Sequence, residues 1–196
     1  QREHNAETGK VAFITGEGRK PVVVLGASAL GLTPEAQSLA LVQRFAPEFG
    51  LTNPSQELRL SETDQPKADR VVSKYQQVYQ GVPVMAGELI VNASKRGELI
   101  SINGEVSQGL SLDTNPKLTV ETAIEIAKKG MVKWYGGDAK DYSGTHASLW
   151  IFDETLLRPS LRPVELVWRI EMITIQEGTP IRELVLVDGK TGNVSL

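Results

Sequence analysis

YQQVYQGVPVMAGE (residues 75–88), followed by LIVNASKRGELISINGEV (residues 89–106), decides how this chain folds. Tyr75, Gln77 and Tyr79 alternate with Lys74, Gln76 and Val78 in the two-residue period of a β-strand. Gly81, Val82 and Pro83 interrupt that run, and two more alternating segments follow it. Residues 88–93 and 98–106 predict a hairpin across Ser94-Lys95-Arg96-Gly97, in which Gly97 supplies the positive φ that such loops demand. Together with a strand over residues 69–80, these segments predict an antiparallel sheet with a marked bend.

On the amino-terminal side, VAFIT (residues 11–15) and PVVVLG (residues 21–26) are short β-rich runs around Gly16-Glu17-Gly18, which predicts an opening hairpin. A helix then starts at a readable signal. Thr33 can cap it, and Pro34 suits the first helical position, where a missing N–H costs nothing. Ala36, Leu39, Ala40 and Gln43 are expected on one stripe, with Val42 and Phe45 beside it and Pro47 as the stop. A polar link with Asn53-Pro54 and Asp64-Gln65-Pro66 leads into the central strand.

On the carboxyl-terminal side, Asp113-Thr114-Asn115-Pro116 gathers turn formers between two patterned regions, which predicts two domains, residues 1–112 and 113–196. Val120, Ala123, Ile124, Ala127, Met131 and Trp134 recur at helical spacing up to Gly136-Gly137. Three strands are expected after it, at residues 148–153, 164–174 and 181–187. In the middle one, Leu166, Trp168, Ile170 and Met172 share a face opposite Val167, Arg169 and Glu171. Periodicity alone gives the α+β class.

The residues Tyr79, Gly81, Val82, Pro83, Val84, Gly87 and Glu88 resemble the hallmark of the fungalysin/thermolysin propeptide domain, a strand ending in Tyr-x-Gly-Val-Pro-Val and then Gly-Glu. Met85-Ala86 stands where that family often has an aromatic-Gly pair. The later helix, three strands and a Val-Asp-x-x-Thr-Gly-x-Val turn at Val187, Asp188, Thr191, Gly192 and Val194 resemble the PepSY domain that follows in thermolysin-type precursors. The ordered pair implies two cystatin-like units, each a helix packed on a curved antiparallel sheet. It implies a non-catalytic propeptide of a secreted zinc metalloprotease, its signal peptide already removed, that assists folding of the enzyme and blocks its active site until cleaved. The partner is then a thermolysin-like catalytic domain carrying its own zinc and calcium, with no cofactor in this chain. Val194, Ser195 and Leu196 are expected as the inhibitory tail, the Leu196 carboxylate approaching the partner's zinc. Tyr75, Gln77 and the hallmark residues are expected to shape the bend first and contact the partner second. A stand-alone secreted PepSY-type module regulating another peptidase or envelope protein needs the same folded surface.

Composition narrows the alternatives. The 196 residues carry a formal charge of -3, so no large positive field exists to hold nucleic acid or anionic lipid. Cysteine is absent, which excludes disulfides, a thiolate nucleophile and cysteine-ligated metals. The longest apolar runs are far too short to cross a bilayer. His4 and His146 have no HExxH frame, and His146 reads as a loop residue. Residues 22–31 place glycines after a strand but lack G-x-G-x-x-G spacing and a Walker lysine, and Ser28 lacks the second glycine of a nucleophile elbow. Asp138, Asp141 and Asp153 fit no calcium-loop spacing, and Trp134, Trp150 and Trp168 read as filling of the second core. No convergent polar set for a small-molecule substrate emerges.

Overall fold

The computed structural model describes residues 1–18, 20–24, 26, 31–66, 69–175 and 180–195. The architecture is mixed α+β. It divides into two compact units, Gln1–Leu110 with Asp153–Arg162, and Ser111–Phe152 with Pro163–Leu196.

In the first unit, strands β1 (Arg2–His4), β2 (Val11–Thr15), β3 (Val23–Val24), β4 (Leu58–Asp64), β5 (Arg70–Tyr79), β6 (Val82–Ser94) and β7 (Glu98–Glu105) form an antiparallel sheet. Their order is β1-β2-β7-β6-β5-β4, and β3 also pairs with β7. The expected hairpin between residues 11–15 and 21–26 does not form. Phe13 pairs with Asn103 and Val23 with Leu99, so β2 and β3 lie end to end along one edge of the longer β7. The hairpin partner of β2 is β1, through Arg2 opposite Ile14. Short strands gain more from a long, regular ladder than from each other.

Helix α1 (Pro34–Phe45) starts as the sequence predicts, with the Thr33 hydroxyl accepting the Ala36 N–H at 3.3 Å. Its buried face differs from the expected stripe. Gln37, Ser38, Leu41, Val42 and Phe45 point inward, whereas Leu39 and Gln43 face solvent. The helix is rotated because its two buried polar residues find partners: Ser38 Oγ accepts the Tyr75 hydroxyl at 3.0 Å, and Gln37 Nε2 donates to the Leu32 carbonyl at 3.3 Å. Leu41, Val42, Phe45 and Phe49 then close over Tyr75, Leu89, Val91, Leu99 and Ile102. Each such side chain contributes about 1.5–3 kcal/mol on burial. The region expected to be a polar link holds the short helix α2 (Pro54–Glu57) and edge strand β4, whose LRLSETD sequence carries the charge that protects a sheet edge.

In the second unit, α3 (Val120–Tyr135) runs from a Thr119 cap to Gly136, which takes φ 81°. Ala123, Ala127 and Met131 pack on Ile170, Met172, Val185 and Val187 of a sheet ordered β8 (Tyr142–Phe152), β9 (Glu165–Thr174), β10 (Arg182–Asp188). Strand β8 begins six residues before the expected start. Its early half contains a bulge between Thr145 and Ser148, and His146 occupies that bulge with φ 49° rather than a loop. Val167, expected on a wet face, is buried as well. The three tryptophans do not fill one core. Trp168 packs there and donates its Nε1–H to the Leu118 carbonyl at 3.0 Å, while Trp134 is 47% exposed and Trp150 lies against Arg169, 5.5 Å from guanidinium to ring centre.

Candidate functional site

The β5–β6 hairpin concentrates the sequence features that set this chain apart. Gln80 and Gly81 form its two-residue turn with φ 49° and 83°, the pair of positive angles a type I′ turn requires. Tyr79 faces Val82 and Val78 faces Pro83. In a two-residue hairpin the second pair is the one without mutual hydrogen bonds, so the missing Pro83 N–H would have pointed away from β5. On that outer side, β7 pairs with β6 only from Glu88 onward. Proline therefore removes no hydrogen bond from the β5–β6 ladder.

The bend itself is a large bulge. Gln76 pairs with Glu88 and Val78 with Pro83, so Val84, Met85, Ala86 and Gly87 together stand opposite Gln77 alone. The Gln76 amide fills the resulting hole, with Nε2 at 2.6 Å from the Val84 carbonyl and 3.0 Å from that of Gly87. Gln77, only 1% exposed, turns the other way and clasps the backbone of Ser107: Oε1 accepts the Ser107 N–H at 2.8 Å, and Nε2 donates to the Ser107 carbonyl at 2.7 Å. The Ser107 hydroxyl donates to Asp153 Oδ2, and Asp153 Oδ1 accepts the Thr155 N–H at 3.0 Å and its hydroxyl at 2.6 Å. Buried polar groups are thus paired in a continuous chain.

Gly87 is fixed by that clasp, since a Cβ there would lie 2.7 Å from Gln77 Oε1 and 3.0 Å from Val84 Cβ. Ala86 adopts φ 58°, a left-handed conformation that glycine takes without strain. Val84 is fully buried beneath the bulge. Tyr75 is also buried, and burial pushes its phenol pKa up. Tyr79, Val82 and Pro83 are half-buried, the Tyr79 hydroxyl accepting Gln80 Nε2–H at 3.3 Å. Glu88 pairs with Lys74 at 3.0 Å, an exposed bridge worth at most about 1 kcal/mol. The geometry brings Gln77, Val84 and Gly87 into one structural knot and leaves Gly81 and Ala86 at its surface. Gln76, Ser107 and Asp153 belong to the knot too, and sequence reading missed them. Nothing local marks Ser107 or Asp153, whose pairing spans 46 residues.

The expected tail residues lie beside β10. Asp188 Oδ1 accepts the amides of Lys190 (2.7 Å) and Thr191 (2.6 Å), and Gly192 completes the turn at φ 80°. Val194 then bridges to Val187, the Ser195 N–H donates to the Leu186 carbonyl at 2.8 Å, and the Ser195 hydroxyl donates to Glu165 Oε2 at 2.7 Å. Leu196 lies outside the described residues, as does most of the glycine-containing stretch, Ser28 included.

Other polar groups serve local structure. His146 Nδ1 sits 3.2 Å from Glu171 Oε2, and the hydrogen bond from Arg182, more than His146, holds the Glu171 carboxyl below its usual range. Asp141 Oδ2 accepts the Asp138 N–H at 2.7 Å, whereas Asp153 is committed to Ser107 and Thr155. Among the described residues no three His, Cys, Asp or Glu side chains converge to hold a metal, and no helix is long and apolar enough to cross a membrane. A comparison with curated proteins gives no match. Residues 56–106, which span the end of α2 through β7 and include the whole bulged hairpin, match the family model described as the Fungalysin/Thermolysin Propeptide Motif.

Proposed function

We propose that this chain is the propeptide of a secreted thermolysin-like zinc metalloprotease, a non-catalytic partner that assists folding of the enzyme and blocks its active site until cleaved. The observation that carries the reading is the propeptide-motif match over residues 56–106, on a hairpin whose glycine, glutamine and proline each have a structural task there. In this reading the second unit is a PepSY domain, supported by its helix, three antiparallel strands and Asp188 turn. A helix on an antiparallel sheet in each unit supports the cystatin-like description. A non-catalytic partner of this kind acts by binding energy alone. Tight inhibition calls for burying on the order of 1,600 Å² or more against the enzyme, and binding the folding transition state lowers a kinetic folding barrier.

The inhibitory element in this proposal is the tail. Val194 bridges to Val187 and the Ser195 N–H donates to the Leu186 carbonyl, which supports a tail presented in extended form, with the Leu196 carboxylate proposed to approach the partner's zinc. The partner enzyme is sought in the reading frame downstream of Leu196, where an HExxH-bearing domain is expected. Titrating that mature enzyme with the isolated chain should give tight inhibition, weakened at least tenfold by removing residues 194–196. Equal potency of the shortened chain eliminates the tail, and no inhibition at micromolar concentration eliminates the blocking role.

A further inference from the structure

Residues 153–162 join β8 to β9, and their two halves are held very differently. In the first half, Asp153 caps a 3₁₀ turn (Glu154–Leu156). The amides of Leu156, Leu157 and Arg158 donate to the carbonyls of Asp153 and Glu154 at 3.0–3.1 Å. In the second half, residues 159–164 have no regular secondary structure, and the Leu161 N–H makes no hydrogen bond among the described residues. Leu161 is also the most exposed large apolar side chain described, at 104%. A groove of about 510 Å³ runs along the segment, between Pro159, Ser160 and Leu161 on one side and Glu7, Thr8 and Lys10 on the other. Solvent therefore reaches this stretch along the groove, and Leu161 projects into it freely.

The sequence LLRPSLRP (residues 156–163) adds a chemical filter. Each arginine is followed by proline, Arg158-Pro159 and Arg162-Pro163. A bond to proline is a tertiary amide without an N–H, so an enzyme that reads its substrate as an added strand finds no donor there. Both bonds that an arginine-directed peptidase would choose are closed. The Ser160–Leu161 bond has a free amide, a fully exposed apolar side chain, and no proline at either of the two residues it joins.

We propose that Ser160–Leu161 is a cleavage site for an endopeptidase with an apolar pocket that takes Leu161. Water adds to the Ser160 carbonyl carbon, the C–N bond breaks, the water oxygen stays on Ser160 as part of a carboxylate, and both water protons end on the Leu161 nitrogen, which leaves as an ammonium group. Ser160 restrains the segment beforehand, donating its hydroxyl to Glu154 Oε2 at 2.6 Å and accepting the Arg162 N–H at 3.0 Å. After the cut, the pieces remain associated through the β8–β9 ladder, from Tyr142 opposite Thr174 to Phe152 opposite Glu165. This site rests on the propeptide reading only for its purpose, which is to begin dismantling the chain once the enzyme is active.

The test treats the intact chain separately with thermolysin, as a zinc endopeptidase accepting leucine, and with trypsin, following products by mass spectrometry. Thermolysin should release a fragment beginning at Leu161, and trypsin should yield no product ending at Arg158 or Arg162 while the chain is folded. The nicked chain should elute at the parent size in native gel filtration and separate in detergent. Leu161→Asp should slow this cut at least tenfold, and Leu157→Asp should leave its rate unchanged. A Ser160–Leu161 bond that survives complete loss of the parent chain overturns the proposal. So do tryptic products at either arginine, or a Leu161→Asp chain cut at the parent rate. No cognate enzyme enters this assay, so its result stands apart from the inhibition measurement.

Discussion

Replacing Gln77 with glutamate changes one atom group of the clasp and keeps its shape. The Nε2 that donates to the Ser107 carbonyl at 2.7 Å becomes an oxygen, so two acceptors face each other at a position 1% exposed. Losing that donor leaves a buried carbonyl unpaired, at about 1–3 kcal/mol. A buried carboxylate without a cationic partner raises the total to about 3–5 kcal/mol at neutral pH. Protonation reverses most of this, because the neutral acid can again donate to Ser107. The new carboxyl therefore has a folded-state pKa above its unfolded value of about 4.3. Its favourable contribution is full below that unfolded value and disappears as pH rises through the folded one. Urea unfolding of parent and Gln77→Glu chains at pH 4 and pH 7 reads the effect as a difference of differences. The variant should fall about 3–5 kcal/mol short at pH 7 and no more than about 1 kcal/mol short at pH 4. A deficit under about 1 kcal/mol that is equal at both pH values would show that water reaches the clasp and that the knot is not dry.

Two further perturbations address the hairpin and the second unit. Ala86→Gly should stabilise the chain by roughly 0.5–1 kcal/mol, since relief of left-handed strain (about 1–2 kcal/mol) exceeds glycine's added unfolded-state entropy. A thermal melt checks it, and a lower midpoint would mean that the bulge does not strain Ala86. Asp113, hydrogen-bonded by Lys190 and by the Asn115 amide, has its pKa lowered from 3.8 to about 2. Its contribution is therefore present above the ordinary value and fades as pH falls from there through about 2. In Lys190→Met, a carboxyl-detected NMR titration should move Asp113 back towards 3.8, and an unchanged midpoint would assign the shift to the Asn115 contacts instead.

Legibility followed the range of the interactions. The helix starts at Thr33 and Thr119, the Gly97 turn and the β5–β6 hairpin are governed by residues within a few positions of each other, and the sequence announces them. Where a contact reaches across the chain, the pattern misleads. Leu39 suggested an inward face for α1, but Tyr75 binds Ser38 and turns the helix so that Leu39 meets solvent. Apolar composition likewise paired residues 11–15 with 21–26, although both segments found β7. At the site, Gly81, Pro83 and Gly87 could be recognised by type alone, yet their cause could not. Gly87 is small because Gln77 Oε1 lies 2.7 Å from where its Cβ would be, and Gln77 sits there to hold Ser107, thirty residues on.

The path of the backbone between the two units carries a consequence for how the protein is made. Gln1–Leu110 is completed by Asp153–Arg162, which is synthesised only after Ser111–Phe152. Ser107 thus leaves the ribosome well before the carboxylate that receives its hydroxyl, and the amino-terminal body must wait, incomplete, while part of its neighbour is translated. A gene truncated just after the triplet for Leu112 would encode every described strand of that body and still omit the piece that seals it.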